Sequence, residues 1–294
     1  MLVGSVFFAM MAVLTESLKD YFTFPWITMI RSGVATSLAL TFALAGGARL
    51  VFFKPATLWI RSLSGWSSMI CGFYAMTHYH VEIILALTNM YPLWVAILSW
   101  PLLGKIPSPK TWLALAISFV GIWLVYASSL GASDQAPGVT HNPQVAIPLA
   151  VFAGVLSGVA LINLHRVKHI DTQAVVAHFS AVATALSFVV WLFIPVAPPT
   201  FSVDKSSVFR LVGVGVAATF GQICLTKAFS SGTPAKVSVV GLSQVVVAAL
   251  VKWLTEGRIP TAMSFVGMTL VLAATVWVIV SSTHDSTNLG TTSD

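Results

Sequence analysis

Ten stretches of mainly apolar residues run along the chain and are separated by short polar intervals. Each stretch holds about 20 residues, the length that an α-helix needs to cross roughly 30 Å of hydrocarbon. The pattern therefore predicts ten membrane-spanning helices. The stretches are residues 2–18, 23–45, 59–79, 83–103, 111–130, 146–164, 173–194, 209–229, 237–255 and 262–281.

Composition supports the lipid bilayer as the surroundings of the chain. Hydrophobic residues make up 57% and charged residues 8% of the 294 residues, against roughly 45 to 50% and about 25% in soluble domains. We therefore expect an all-α integral membrane protein. The formal net charge of +6 does not indicate a nucleic-acid partner, because the basic residues are spread among the polar intervals rather than clustered on one surface.

The chain also contains an internal repeat. At an offset of 153, residues 70–129 match residues 223–282 at eleven positions, and Gly104-Lys-Ile-Pro107 falls on Gly257-Arg-Ile-Pro260. An odd number of predicted spans lies between the two turns, so the second copy would be upside down relative to the first. This arrangement is typical of transporters.

The repeat and the apolar pattern together predict two inverted five-helix repeats. The predicted organisation is a first repeat over 1–130, an external linker over 131–145, a second repeat over 146–282 and a polar cytoplasmic tail over 283–294.

The distribution of Lys and Arg predicts the orientation. With a cytoplasmic amino terminus, nine of the fifteen basic residues lie at cytoplasmic ends of spans, Arg61 among them, five lie at external ends, and Arg31 lies inside span 2. The positive-inside bias therefore favours two cytoplasmic termini. No basic leader of a cleavable signal peptide precedes the first apolar stretch, so we expect span 1 to remain as an anchor in a multi-pass protein of the plasma membrane.

Polar residues recur at matched places in the first two spans of each half. At an offset of 147, Glu16 falls on Asn163 and Arg31 falls on His178. Buried charges in membranes are usually paired, so we expect structural interhelical pairs, with Glu16 meeting Arg31 across the hairpin of spans 1 and 2. A direct role in binding solute or protons is the alternative.

A second set of polar residues lies within spans 3, 4 and 9. Pro92 removes a backbone donor in the middle of span 4 and opposes the carbonyl of Thr88, and Asn89 shares the helical face of Pro92. Gln244 stands among valines in span 9, at the repeat position of Tyr91, and Tyr74 lies on span 3. We interpret Tyr74, Asn89 and Gln244 as candidate solute-binding residues. The alternatives are an ordinary proline kink, interhelical hydrogen bonding and anchoring at the membrane interface.

Lys227 in span 8 is the candidate for recognising an anion. It falls on Tyr74 at the repeat offset, and a run of small residues on the same helix, between Gly213 and Gly221, would leave space for it to face inward. The alternative is a lysine that extends to the lipid headgroups. Within that run, Gly213-x-Gly215-x-x-Ala218 resembles a dinucleotide fingerprint, but no strand precedes it, so we interpret it as helix packing. We expect no cofactor and no metal site.

Several segments resemble the EamA-type members of the drug/metabolite transporter superfamily, and the likeness covers nearly the whole chain. They are Ile27-Thr-Met-Ile-Arg31, Phe73-Tyr-Ala-Met76, Ala86-Leu-Thr-Asn-Met-Tyr-Pro-Leu93, Val120-Gly-Ile-Trp-Leu-Val125, Leu225-Thr-Lys-Ala-Phe229, Ala235-Lys-Val-Ser-Val239 and Gln244-Val-Val-Val-Ala248. The resemblance implies ten helices in two inverted repeats, a central pathway lined chiefly by helices 1, 3, 4, 6, 8 and 9, and carriage of small polar or amphipathic solutes.

These observations predict a secondary transporter that moves a small organic metabolite, polar or anionic, by alternating access at a midplane site. A membrane-embedded enzyme acting on a lipid-linked substrate is the alternative from another class, although no paired carboxylates or nucleophile motif is apparent in the sequence. A channel is the third possible class of function. A proton as the coupling ion and a homodimer as the assembly are open expectations.

Overall fold

A computed structural model describes residues 1–18, 21–79, 81–128, 142–193, 204–256 and 261–290. Within these residues the secondary structure is helical and contains no strand, as the all-α prediction requires. The helices are α1 (Leu2–Glu16), α2 (Phe24–Ala45), α3 (Ala56–His78), α4 (Val81–Thr88), α5 (Tyr91–Leu103), α6 (Pro109–Ala127), α7 (Pro143–Arg166), α8 (Thr172–Phe193), α9 (Lys205–Ser231), α10 (Pro234–Gly241), α11 (Ser243–Glu256) and α12 (Ala262–Gly290).

Eight helical segments of the described chain are long and apolar enough to cross a membrane. They are Pro25–Ala45, Ile83–Leu103, Pro109–Ala127, Pro143–Arg166, Thr172–Phe193, Lys205–Ser231, Pro234–Thr255 and Ala262–Ser281. Two predicted spans are not among the eight. Helix α1 has 15 residues, and α3 has 23 residues but carries Arg61 and a run of serines that lower its apolar character. The chain is therefore a multi-pass membrane protein.

Two of the eight segments are interrupted helices. The first stops at Thr88 and resumes at Tyr91, so the proline kink expected in span 4 is a break that separates α4 from α5. Pro92 lies in the first turn of α5, where a backbone donor is not required.

The second interruption separates α10 from α11 at Leu242, in a stretch without proline. Gly241 ends α10, and its Cα lies so close to the hydroxyl of Tyr91 that a side chain there would collide with it. Leu242 then turns more tightly than an α-helix, because its N–H donates to the carbonyl of Val239 at 3.0 Å.

The bounds of the helices follow the repeat offset of 153. Adding 153 to the bounds of α4 gives those of α10, and the same shift relates the ends of α5 and α11 and the starts of α6 and α12. The two interruptions are therefore at equivalent places. In the first copy Gly104 ends α5 with a φ of 65°, a left-handed conformation that glycine adopts readily. The second turn, residues 257–260, lies outside the described residues.

Helices of the first half pack on helices of the second half. Helix α1 packs on α9 and α11, α7 packs on α3 and α5, α2 packs on α8, and α6 packs on α12. The α6–α12 contact is close, since a Cβ on Gly121 would lie 2.6 Å from the carbonyl oxygen of Gly267. Small residues allow such approach between membrane helices.

Helices α2 and α8 run antiparallel. Trp26, near the start of α2, meets Trp191 near the end of α8, with ring centroids 5.5 Å apart. The hydroxyls of Thr36 and Thr184 lie 2.9 Å apart near the middle, and the end of α2 contacts the start of α8 at Gln173. The hydroxyls of Thr36 and Thr184 thus meet each other between the two helices.

Two predicted segments fall partly outside the described residues. Residues 131–141 of the expected linker and residues 291–294 of the expected tail are not described, nor is the side chain of His78. Helix α12 continues beyond the apolar span that ends at Ser281 and reaches Gly290.

Candidate functional site

A network of neutral polar side chains lies where the two interrupted helices meet. Nε2 of Gln244 donates to Oδ1 of Asn89 at 3.1 Å, and Nδ2 of Asn89 donates to the hydroxyl of Tyr126 at 3.1 Å. Asn89 is buried. The structure therefore brings together two of the residues that the sequence predicted, on α11 and at the end of α4, and adds Tyr126 of α6.

The local sequence explains the position of Asn89. Its backbone N–H donates to the carbonyl of Leu85 at 2.9 Å, as in a helix, and its Nδ2 donates to the same oxygen at 2.9 Å. Asn89 is thus the last residue with helical bonding before the break. Backbone groups at such a break need partners inside a membrane, and asparagine supplies both a donor and an acceptor.

A cleft of about 170 Å³ lies beside the end of α4. Its walls are formed by α3 residues, including Ser68, Met69 and Phe73, and by Thr88 at the end of α4. For scale, a cavity of about 150 Å³ in another protein holds a benzene molecule. The cleft therefore has room for a small organic group and reaches Thr88, the residue before Asn89, although Asn89 and Gln244 do not line it.

Tyr74 and Lys227, the other two predicted binding residues, are both exposed. Tyr74 lies on α3 with 46% of its surface accessible, and Lys227 lies near the end of α9. The structure does not place either residue in the Asn89–Gln244 network.

The predicted space around Lys227 is occupied by other helices. A Cβ on Gly215 would lie 2.5 Å from Val34 of α2, and one on Gly221 would lie 3.0 Å from Phe8 of α1. The expectation that these small residues leave room for an inward lysine is therefore wrong, because they receive side chains of α1 and α2. Their interpretation as helix packing is confirmed.

The predicted Glu16–Arg31 pair is also wrong. Glu16 forms an ion pair with Lys252 of α11, with Nζ 2.7 Å from the carboxylate. Nη1 of Arg31 instead contacts Sδ of Met69 on α3 at 2.8 Å. Glu16 lies at the end of α1, and α1 packs on α11, so the lysine of the opposite half reaches it.

The polar residues equivalent to Glu16 and Arg31 also bond within the protein. Nδ1 of His178 lies 2.9 Å from Oγ of Ser62 on α3, and its ring packs against Phe52 and Trp59. Nδ2 of Asn163 donates to the carbonyl of Val159 at 2.9 Å. The His178 contact is interhelical, as the sequence predicted, whereas Asn163 bonds only to the backbone of its own helix α7. Oδ1 of Asn163 and Nε2 of His178 are buried without a hydrogen-bond partner in the described chain.

Arg61 is a buried residue that the sequence interpretation missed, since it was counted as a cation at a cytoplasmic end. Only 3% of it is accessible. Its Nη2 donates to Oε1 of Gln222 at 2.8 Å, and its guanidinium lies 3.8 Å from the ring centroid of Phe179. The available signal was Gly65, one turn further along α3, which leaves space for the guanidinium.

The sequence of the chain is similar to those of several transport proteins. CntI, a pseudopaline exporter of Pseudomonas aeruginosa, is 27% identical over 274 residues, covering 93% of this chain and 92% of the exporter. A probable transport protein of Saccharomyces cerevisiae is 22% identical over 241 residues, covering 76% of this chain and 68% of that protein. An uncharacterised transporter of Helicobacter pylori is 24% identical over 251 residues, covering 83% and 81%.

Structural comparison and family assignment agree with these relatives. A crystal structure that is 16% identical in sequence superposes with a TM-score of 0.81 over 96% of each chain, which shows the fold. The EamA-like transporter family matches residues 1–127 and 144–280, which together make up most of the 294 residues. The chain therefore belongs to the EamA-like transporter family.

Proposed function

We propose that the chain is a secondary transporter that carries a small organic solute, polar or anionic, across the membrane without ATP. The observation that carries this proposal is the hydrogen bond between Asn89 and Gln244, which joins the breaks of two interrupted spans. Transporters form solute sites at interrupted helices, because the ends of half-helices present polar groups that a continuous helix keeps satisfied. Family membership supports the same class of function.

The proposed mechanism is alternating access between two inverted repeats of five spans each. Three observations support it: the helix bounds repeat at an offset of 153, α2 and α8 run antiparallel, and α1 packs on the second half as α7 packs on the first. Rocking of one half against the other would expose the Asn89–Gln244 site to each side in turn.

The proposed solute site contains Asn89 and Gln244, and the exposed residues Tyr74 and Lys227 remain further candidates for contact with the solute. The two amides carry donors and acceptors that a polar solute would engage by exchanging their present bonds, and the cleft of about 170 Å³ that reaches Thr88 offers space. Lys227 would add a positive charge for an anionic group. No catalytic residue is proposed.

Export from the cytoplasm is the proposed direction, because a relative over nearly the full length is an exporter of an organic compound, pseudopaline. The proposed location is the plasma membrane with both termini in the cytoplasm. Protons are the proposed coupling ion, and a homodimer is the proposed assembly to examine.

Counterflow in proteoliposomes tests the function. Vesicles that contain the purified protein and a high internal concentration of pseudopaline receive a trace of labelled pseudopaline outside. A carrier should concentrate the label transiently, with saturation, and a pH gradient should change the rate if protons are coupled. Simple equilibration of the label would indicate a channel, and its chemical conversion would indicate an enzyme. If pseudopaline is not moved, compounds that raise the melting temperature of the protein are assayed next.

A further inference from the structure

A second cavity lies between α2, α3, α8 and α9, apart from the Asn89 network. Its volume is about 10 Å³, roughly the space of one water molecule. Arg31 lines it, together with Met69, Gln222 and the buried residues Ser32 and Ser180. Among the residues that the structure describes, no carboxylate lines this cavity.

Arg31 has weak partners for a buried cation. Its Nη1 contacts the thioether of Met69, which is a poor acceptor, and its Nε has no hydrogen-bond partner within the described chain. A charge within a membrane protein is costly unless it is paired. Arg31 therefore has free capacity to bind an anion.

Arg61 orients Gln222 so that the cavity gains another donor. An arginine has only donors, and Arg61 uses one of them to hold the amide oxygen of Gln222. The amide N–H groups of Gln222 are then left for the cavity that this residue lines. Arg61 is a positioning residue here, held by its contact with the ring of Phe179.

Met69 separates this cavity from the larger cleft beside α4, because it lines both of them. Its side chain is flexible and makes a neutral contact with Arg31. An anionic group of a molecule in the cleft could replace that thioether and reach Arg31 without breaking an ion pair in the described structure.

We propose that Arg31 binds a carboxylate or phosphate group of the transported solute, with Gln222 as a second donor and Met69 as the group that the solute displaces. That the anion belongs to a transported solute rests on the proposed function, whereas the anion site itself is inferred from the cavity. A guanidinium binds a planar oxyanion through two parallel hydrogen bonds, which a thioether cannot match. The cavity places the anion beside Arg31 of α2, whereas the sequence indicated Lys227 of α9 as the anion-binding residue.

Anion binding is tested on the purified protein in detergent. Its melting temperature is measured against sodium acetate and, separately, sodium phosphate at fixed ionic strength. The melting temperature of the unmodified protein should rise with anion concentration and then level off. In Arg31→Gln the anion concentration that gives half of this rise should be higher by about tenfold or more. Lys110→Gln, which removes an exposed cation from α6, is the matched control and should respond like the unmodified protein.

A second variant keeps the test decisive if Arg31→Gln does not fold. Gln222→Glu has nearly the same shape and places a carboxylate between Arg61 and the cavity. It should raise the melting temperature without added anion and remove the response to acetate and phosphate. A response that survives in Gln222→Glu, or one that is equal in Arg31→Gln and the unmodified protein, overturns the proposal.

A final arm separates a solute anion from a lipid headgroup. Delipidated protein is titrated with acetate, phosphate or phosphatidylglycerol. Stabilisation by the free anions supports a solute site, whereas stabilisation by phosphatidylglycerol alone overturns it. Because these measurements do not require transport, a normal anion response without counterflow of pseudopaline or of any stabilising compound would reject the proposed function and leave the anion site standing.

Discussion

Gln244 donates a hydrogen bond to Asn89 across 3.1 Å and so connects the breaks of two interrupted spans. The two residues are 155 positions apart in the chain, but the interruptions in which they lie are equivalent under the repeat offset of 153. The bond therefore links one half of the protein to the other at the place where each half has an interrupted helix. Any rocking of the halves would have to stretch or exchange it.

Removing the Asn89–Gln244 bond should impair transport more than folding. Asn89→Ala and Gln244→Ala should each lower the counterflow rate, and the coupling between them in a double-mutant cycle of detergent melts should be about 0.5 to 1.5 kcal/mol. Gln144→Ala, at an exposed position near the start of α7, is the control. Strictly additive melting effects together with normal counterflow would contradict this role.

The turns after α5 and α11 should face opposite sides of the membrane. In a protein with Cys71 and Cys224 replaced, Ile106→Cys and Ile259→Cys place single thiols at repeat-equivalent positions. An impermeant thiol reagent added outside intact cells should label one of them and leave the other for reaction after lysis. Labelling of both from the same side would rule out inverted repeats.

The Glu16–Lys252 ion pair should contribute little to stability, since both side chains are more than a third exposed. Glu16→Gln and Lys252→Gln should each lower stability by roughly 0.2 to 1 kcal/mol, and the exchanged pair Glu16→Lys with Lys252→Glu should restore most of it. Detergent melting measures all three. Arg31→Gln serves as the comparison, because it should not rescue Glu16→Gln; partial rescue would restore the pair that the sequence suggested.

Lys227→Gln distinguishes a binding residue from a headgroup anchor. If Lys227 contacts an anionic solute, the change should weaken binding by on the order of 1 to 3 kcal/mol while insertion stays normal. Solute affinity and counterflow measured on the same preparation decide the matter. Unchanged affinity and transport would assign Lys227 to the lipid headgroups.

Asp204 should make stability depend on pH in acid. Its Oδ1 accepts the backbone N–H of Ser207 at 2.7 Å at the start of α9, and this bond favours the charged carboxylate and lowers the pKa of Asp204. A lowered folded-state pKa means that the stabilisation is present at neutral pH and is lost as the pH falls through that pKa. The difference in melting temperature between the unmodified protein and Asp204→Ala should therefore shrink below about pH 4.

Asp204→Asn provides the control for this effect, since asparagine also caps helices but does not titrate. Its melting temperature should exceed that of Asp204→Ala by an amount that stays nearly constant with pH. If the difference between the unmodified protein and Asp204→Ala does not change in acid, the carboxylate does not act as the cap.

Much of the fold could be predicted from the sequence because membrane insertion depends on local composition. Apolar stretches of about 20 residues identify helices without knowledge of their neighbours, and a constant offset relates the two Gly-x-Ile-Pro turns that begin at Gly104 and Gly257. The same offset drew attention to Gln244 as the repeat partner of Tyr91, and Asn89 was found because it shares the helical face of Pro92. The break before α11 was not predicted, because it contains no proline and depends on the close approach of Tyr91 to Gly241.

The sequence by itself determined that this protein lies in a lipid bilayer, that it is helical and that it contains a repeat. It also indicated Asn89 and Gln244, two members of the polar network. Only the tertiary structure decided which polar groups meet, since that depends on how helices distant in the chain pack. Glu16 contacts Lys252 rather than Arg31 because α1 lies against α11. Arg61 was assigned to a cytoplasmic end but is buried between Phe179 and Gln222. Desolvation favours a partner for each buried charge, but it does not specify which partner, and that choice depends on packing.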